Sequence, residues 1–256
     1  MKKEKYDVIV PIGAACLNSL YLRSHLLQKL SYPMDWVGGG DFIERIRLLC
    51  TDFCDYLDLT DLQDTGKTYV DRIGPCKVVK NRRTGIIFNH DFPGDISIRK
   101  SYPAIKEKYQ RRIDRLRKVI DFAHKILILY IEENNRIKPL KDNALLIQAD
   151  KMLQRKFPNK IVQLLYVSND TQMLKGDKID EQLSVRVRKI TLNYQNEKES
   201  ADWVPDWKAL EKAIGYLRVR KPMGDFLYEK FLLTVSRIII FRSLRRKFLR
   251  KCHLYV

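Results

Sequence analysis

Two side chains in this sequence have the chemistry of a nucleophile and its base: Cys16, in Gly13-Ala-Ala-Cys16, and His90, in Phe88-Asn-His-Asp-Phe92. A cysteine nucleophile needs an imidazole within hydrogen-bond reach to take its proton, and a third group to orient that imidazole. The chain holds 4 histidines. His25 falls inside a helical pattern, His124 at a helix-to-strand junction and His253 in the tail, whereas His90 sits at a strand end beside an acid. Asp91 and Asp35 are both candidates for the orienting carboxylate. Gly13, Asn18, Trp36 and Asn89, which flank these positions, and Trp207, in a later acid–tryptophan segment, are the candidate substrate contacts.

The elements that must carry these residues are legible as patterns. Asp7 to Ile12 is a short apolar run bounded by charge and glycine, which reads as a buried strand. Leu17, Leu20 and Tyr21 then follow at helical spacing, so a helix is expected from about Cys16 to Lys29. Cys16 thus falls in a first helical turn, where unpaired N–H groups and the positive end of the dipole favour a thiolate. The same place also suits a small packed residue. Pro33 and Gly38-Gly-Gly40 mark a loop with a fixed entry and a flexible exit. Asp41 is placed to cap a helix carrying Phe42, Ile43, Ile46, Leu49 and Cys50.

Val70 to Lys80 and Gly85 to Asn89 read as a hairpin, and His90 to Gly94 as a turn. Tyr102 to Ala123 is a long basic helix. Buried strands expected at Lys125 to Ile131, Ile161 to Val167 and Val185 to Leu192 alternate with helices at Leu140 to Lys156 and Trp207 to Tyr216. Strands that read as continuous apolar runs indicate a sheet buried on both faces. The expected class is α/β: a three-layer, Rossmann-like, mostly parallel sheet with the hairpin at an edge. Ligands bind such sheets beyond the carboxyl ends of their strands, and this places Cys16 and His90 on one rim if their strands are parallel.

The totals bound the partners. The chain has 256 residues, enough for a large core, with 49 basic against 31 acidic residues and a formal charge of +18. This balance favours anionic partners. One α/β domain is expected over 1–222 and a basic amphipathic helix over 223–256. In that tail Phe241, Leu244 and Phe248 share one face while Arg242, Arg245, Arg246 and Lys247 occupy the rest, which suits an anionic membrane surface. Phe241, Arg242, Arg245, Arg246 and Phe248 are the candidate membrane contacts. No nucleic-acid module is recognisable, and no nucleic-acid partner is expected. The apolar segment behind Met1 is too short for a signal peptide, and no stretch reaches transmembrane length. The expected setting is cytoplasmic and reduced, with the protein peripheral at the inner membrane face.

No cofactor and no metal are expected. Cys50 and Cys54 stand four apart on a helix, which is the spacing of a core stripe, not of a zinc knuckle. Gly66-Lys-Thr68 lacks the earlier glycine of a phosphate loop, since Asp61 stands in its place. Asp35-Trp36 and Asp202-Trp-Val-Pro-Asp-Trp207 place acids beside indoles, a pairing that could stack on and hydrogen-bond a sugar. A second reading follows from them: a carbohydrate-binding or glycan-assembly accessory protein with no cysteine chemistry.

The motif order Ile12-Gly-Ala-Ala-Cys16, Tyr32-Pro-Met-Asp-Trp36 and Phe88-Asn-His-Asp-Phe92 resembles a bacterial domain family, the putative papain-like cysteine peptidases. Ile12 and Met34 stand where that family's pattern has leucine and phenylalanine. The resemblance covers about the first hundred residues as motifs. It implies that Cys16 is the nucleophile and His90 the base, with Asp35 or Asp91 as orienter. The substrate it leaves open: a peptide, an ester or a glycan.

Overall fold

The computed structural model describes residues 4–71, 74–132, 142–196 and 205–221, with isolated positions at 227, 230–232, 234, 235 and 244. The chain opens with β1 (Glu4–Tyr6), β2 (Val8–Pro11) and α1 (Leu17–Ser24), then β3 (Val37–Gly39) and α2 (Phe42–Cys50). An antiparallel series follows: β4 (Leu62–Asp71), β5 (Gly74–Asn81) and β6 (Ile86–Pro93). The second half alternates: α3 (Ile98–Phe122), β7 (Lys125–Ile131), α4 (Asn143–Lys156), β8 (Ile161–Asn169), β9 (Lys178–Gln182), β10 (Val187–Leu192), α5 (Trp207–Ile214) and β11 (Leu217–Val219).

The fold is mixed α/β with several sheets. The largest has five strands in the order β2-β7-β8-β10-β9. β2, β7, β8 and β10 run parallel, and β9 closes the edge antiparallel to β10. Its centre is β7, Lys-Ile-Leu-Ile-Leu-Tyr-Ile, in which every residue after Lys125 is buried. That is what a strand covered on both faces requires. Alternate residues feed two apolar clusters. Ile126, Ile128 and Tyr130 join side chains of α2, α3 and α4, while Leu127, Leu129 and Ile131 join those of α1 and α5.

The hairpin expected at an edge of this sheet instead belongs to a separate four-stranded antiparallel sheet, β3-β6-β5-β4. The argument that set Cys16 and His90 on one parallel rim therefore loses its premise, because β6 is not a strand of the parallel sheet. His90 also lies within β6 and not in a turn after it. Gly38-Gly-Gly40, read as a flexible exit, is instead the strand β3 and its end. Gly39 has φ +62°, and a Cβ there would lie 2.3 Å from the Gly85 carbonyl oxygen, so only glycine lets β3 lie against the β5–β6 turn.

Among the described residues no helix is long and apolar enough to cross a membrane. The candidate membrane contacts Phe241, Arg242, Arg245, Arg246 and Phe248 lie outside the described residues.

Candidate active site around Cys16

Cys16 is half-buried and occupies the N-cap position of α1, although its side chain makes no cap hydrogen bond. The loop that delivers it is fixed from two sides. From below, Asn18 in the first turn of α1 spans the end of β7: its Nδ2 donates to the Ile131 carbonyl (3.1 Å) and its Oδ1 accepts from the Ile131 N–H (2.9 Å). A Cβ on Gly13 would lie 1.7 Å from that Nδ2, so Gly13 is the residue that leaves room for the amide. Gly13 and Asn18, expected as substrate contacts, are thus engaged with the backbone that shapes the loop.

From the side comes Arg45 of α2, fully buried. Its guanidinium donates to the carbonyls of Ile12 (3.3 Å), Gly13 and Ala14 (3.2 Å) on the Cys16 loop. It also donates to those of Val37 (3.2 Å), Gly39 (2.6 Å) and Gly40 (3.3 Å) at β3. A rigid fork of five N–H donors matches such a ring of acceptors as no other side chain can. Arg45 is a positioning residue that the sequence reading missed. Its signal was present: it lies with Phe42, Ile46 and Leu49 on the buried side of α2, where an arginine is out of place unless it has partners.

Asp35 is also fully buried, beside α1. Its Oδ2 accepts from Gln28 Nε2 (2.6 Å) and the Tyr32 N–H (2.9 Å), with Arg23 Nη2 further off at 3.8 Å. Among the described residues neither its Oδ1 nor the buried Ser19 Oγ makes a close hydrogen bond, although the Ser19 hydroxyl lies near enough to favour the charged carboxylate. Burial pushes the Asp35 carboxyl up to about 6, against the opposing pull of the Tyr32 N–H and Arg23. The folded protein therefore holds this proton more tightly than the unfolded chain between roughly pH 4 and 6. Stability from this group is greatest in acid and falls as pH rises through that window, by up to about 3 kcal/mol. In Asp35→Asn the amide oxygen can keep the Gln28 and Tyr32 bonds while the NH2 takes the unpartnered side. Urea unfolding between pH 4 and 7 should thus show the variant gaining on the wild type as pH rises. A difference that stays flat across the window would mean an ordinary carboxyl at this position.

His90 lies in an irregular part of β6. Val79 pairs with Phe88 and Lys77 with Phe92, so Val78 alone faces Asn89, His90 and Asp91. The same Val78 faces Thr65, Gly66 and Lys67 of β4, because Asp64 pairs with Val79 and Thr68 with Lys77. Bulges on both sides of one residue bend a sheet and re-aim side chains. The His90 ring meets Tyr69 of β4 edge-on, centroids 4.7 Å apart. Asp91 is buried and held from α3, accepting from Lys108 Nζ (2.6 Å) and the Tyr109 hydroxyl (2.7 Å). Asn89 stands near Gly38, whose Cβ position is 3.7 Å from its Nδ2. β3 runs antiparallel to β6 with Val37 opposite Phe88, so the Asp35-Trp36 end of β3 lies toward the His90 end of β6.

Trp36 and Asp206 are occupied by other work. Trp36 Nε1 donates to Ser31 Oγ (3.1 Å), and the Arg23 guanidinium covers its ring at 5.5 Å. Asp206 caps α5, accepting from the Lys208 and Ala209 N–H groups, with Trp207 partly exposed as the first residue of that helix. Asp202 and Trp203 lie outside the described residues. Two cavities, about 360 and 270 Å³, open beside the segment after α2, the first against the far end of α3 and the second against its first half, and neither is lined by Cys16, Trp36, His90 or Trp207.

A family model described as putative papain-like cysteine peptidase matches residues 7–170, a span that includes Cys16, Asp35, His90 and Asp91. Comparison with curated proteins and with solved structures gives no match.

Proposed function

The chain belongs to the putative papain-like cysteine peptidase family, and we propose that within it Cys16 is the nucleophile of a hydrolase and His90 its base. One observation carries the reading: a solvent-reachable cysteine at the head of a helix, on a loop immobilised by Arg45 and Asn18. Thiolate chemistry needs both the electrostatics of a helix N-terminus and a fixed approach geometry, and this loop offers the two together. Attack by the Cys16 sulfur on a carbonyl carbon would form a thioester as the leaving group takes the proton held by His90. Water would then cleave the thioester and return the thiol.

Asp35 is the better orienting carboxylate of the two candidates. Among the described residues one of its oxygens has no close partner and faces only the weaker influence of the Ser19 hydroxyl, whereas both oxygens of Asp91 accept from α3. The family name favours a peptide over an ester or a glycan as substrate. Attachment at the inner face of a membrane through the basic tail belongs to the same proposal, and the tail's arginines are the reason for it.

The rate of alkylation by iodoacetamide as a function of pH, read peptide by peptide by mass spectrometry, tests the nucleophile. Cys54 is exposed and serves as an internal control. Cys16 should react with an apparent pKa at least about one unit below the ordinary thiol value near 8.5, and His90→Ala should move it back up. If Cys16 titrates as Cys54 does, or fails to react in the folded protein, the nucleophile reading is lost.

A further inference from the structure

Arginines from two helices converge on the segment between α1 and β3. Arg23 of α1 donates from Nη2 to Ser31 Oγ (2.8 Å) and lies over Trp36. Arg115 of α3 donates from Nη1 to the Ser31 carbonyl (2.5 Å). Arg112, one turn earlier on α3, lies over the Tyr109 ring at 5.0 Å. All three are partly exposed, as are Ser31 and Trp36, so the cluster meets solvent.

Its donors exceed its acceptors. Among the described residues, the buried Arg23 Nε and Arg112 Nη1 have no hydrogen-bond partner. The acids that could neutralise the cluster are committed elsewhere. Asp91 is bound by Lys108 and Tyr109, while Glu107 and Asp114 pair with Arg111 and Gln110 on the exposed side of α3. Asp35 stands 3.8 Å from Arg23 and is itself pushed toward the protonated form by burial. Burial, together with the neighbouring charges of Arg112 and Arg115, lowers the pKa of Arg23. Like charges and unmet donors held together in this way cost stability unless an anion joins them.

We propose that Arg23, Arg112 and Arg115 form a binding subsite for an oxyanion, the carboxylate or phosphate group of a ligand. Guanidinium forks recognise both groups through paired N–H donors; the partly exposed guanidinium edges of the three arginines meet the anion, and a small turn of Arg23 and Arg112 brings their unpartnered Nε and Nη1 to it. Arg23 lies seven residues after Cys16 on α1, about 10 Å along the helix at 1.5 Å per residue. A substrate attacked at Cys16 would therefore carry its anionic group two to four residues, or an equivalent length, from the attacked bond. The anion site itself does not depend on cysteine chemistry.

Thermal-shift titration of the full chain with inorganic phosphate and, separately, with succinate tests it, each against sodium chloride at equal ionic strength. One of the two should saturate in the low-millimolar range or below, and the one that does so at lower concentration assigns phosphate or carboxylate. Arg112→Met removes the guanidinium that lies over Tyr109 and leaves an unbranched apolar chain of similar length. It should weaken that binding at least tenfold while leaving the unliganded melting temperature unchanged or higher, whereas Lys151→Ala, an exposed charge on α4, should leave binding intact. If Arg112→Met proves unstable, protection of Arg23 and Arg112 from phenylglyoxal by the same anion in the wild type gives the answer. No shift beyond that of chloride, an equal effect of Arg112→Met and Lys151→Ala, or no protection would overturn the site.

Discussion

Replacing the buried Arg45 with methionine should destabilise the protein by at least about 4 kcal/mol. The estimate follows from the acceptors left behind. The carbonyls of Ile12, Gly13, Ala14, Val37, Gly39 and Gly40 all receive hydrogen bonds from this one side chain, the first four in a buried setting and the two glycines in a partly buried one. Each buried acceptor without a partner costs about 1–3 kcal/mol, partly recovered where relaxation admits water. Methionine fills the volume but donates nothing. Lysine keeps the charge but concentrates three donors at one point, so it cannot reach both the Cys16 loop and β3, and Arg45→Lys should lose most of the same stability. Urea unfolding measures both, and a loss below about 1 kcal/mol in Arg45→Met would show that the carbonyls find other partners. A functional consequence accompanies the stability loss. With Arg45 gone, the Cys16 loop and β3 are no longer clamped together, and any pKa shift measured at Cys16 should shrink at temperatures where the variant is still folded.

Arg45 also illustrates which parts of this fold the sequence displays. Continuous apolar runs were enough for β7, read at Lys125 to Ile131 and found there, because a fully covered strand must be apolar at every position. Asp41 was read as a cap, and it accepts from the Glu44 N–H at 2.7 Å. The stripe on α3 is buried at Ile105, Tyr109, Ile113, Leu116 and Ile120, as its helical spacing indicates.

β4 escaped because nothing in it is periodic. From Gln63 onward it is polar or exposed, and it is a strand only because β5 offers backbone hydrogen bonds along its edge. β1 and β11 are three residues each, too short to carry a pattern, and they pair across nearly the whole length of the chain. His90 was placed in a turn because His-Asp-Phe-Pro-Gly has turn composition. The irregularity was real, but it is a bulge inside a strand, and composition does not separate the two.

The candidate site divides along the same line. Residue type and order were enough to single out Cys16, His90, Asp35 and Asp91. Their environments could not be read, because they are made by partners distant in sequence: Arg45 for the Cys16 loop, Gln28 and Arg23 for Asp35, Lys108 and Tyr109 for Asp91. A pattern along the chain records what an element is made of. It does not record which element lies opposite.

Gly13 and Asn18 give that distinction a measurable form. In Gly13→Ala the new methyl would occupy the place of the Asn18 amide, 1.7 Å from Nδ2 and 2.2 Å from Cγ. The amide must then swing away from Ile131, giving up both of its bonds to that residue in a buried site. The substitution should cost about 2–4 kcal/mol, the range for unpairing two buried polar groups with partial relaxation. Asn18→Ala loses the same two bonds and should cost about as much. The double variant should then be no less stable than either single one, since the methyl enters space that Asn18 has vacated. The coupling energy in the cycle should therefore be about 2 kcal/mol or more and favourable to the double variant. Independent, additive costs would mean that Gly13 is required for the path of its own backbone and not for the amide. Alkylation of Cys16 gives the second readout. If the Asn18–Ile131 bridge holds the loop in its reactive geometry, all three variants should lower the rate at Cys16 alike while that at Cys54 stays constant. If only the stability changes, the bridge serves the fold and leaves the thiol's geometry to Arg45.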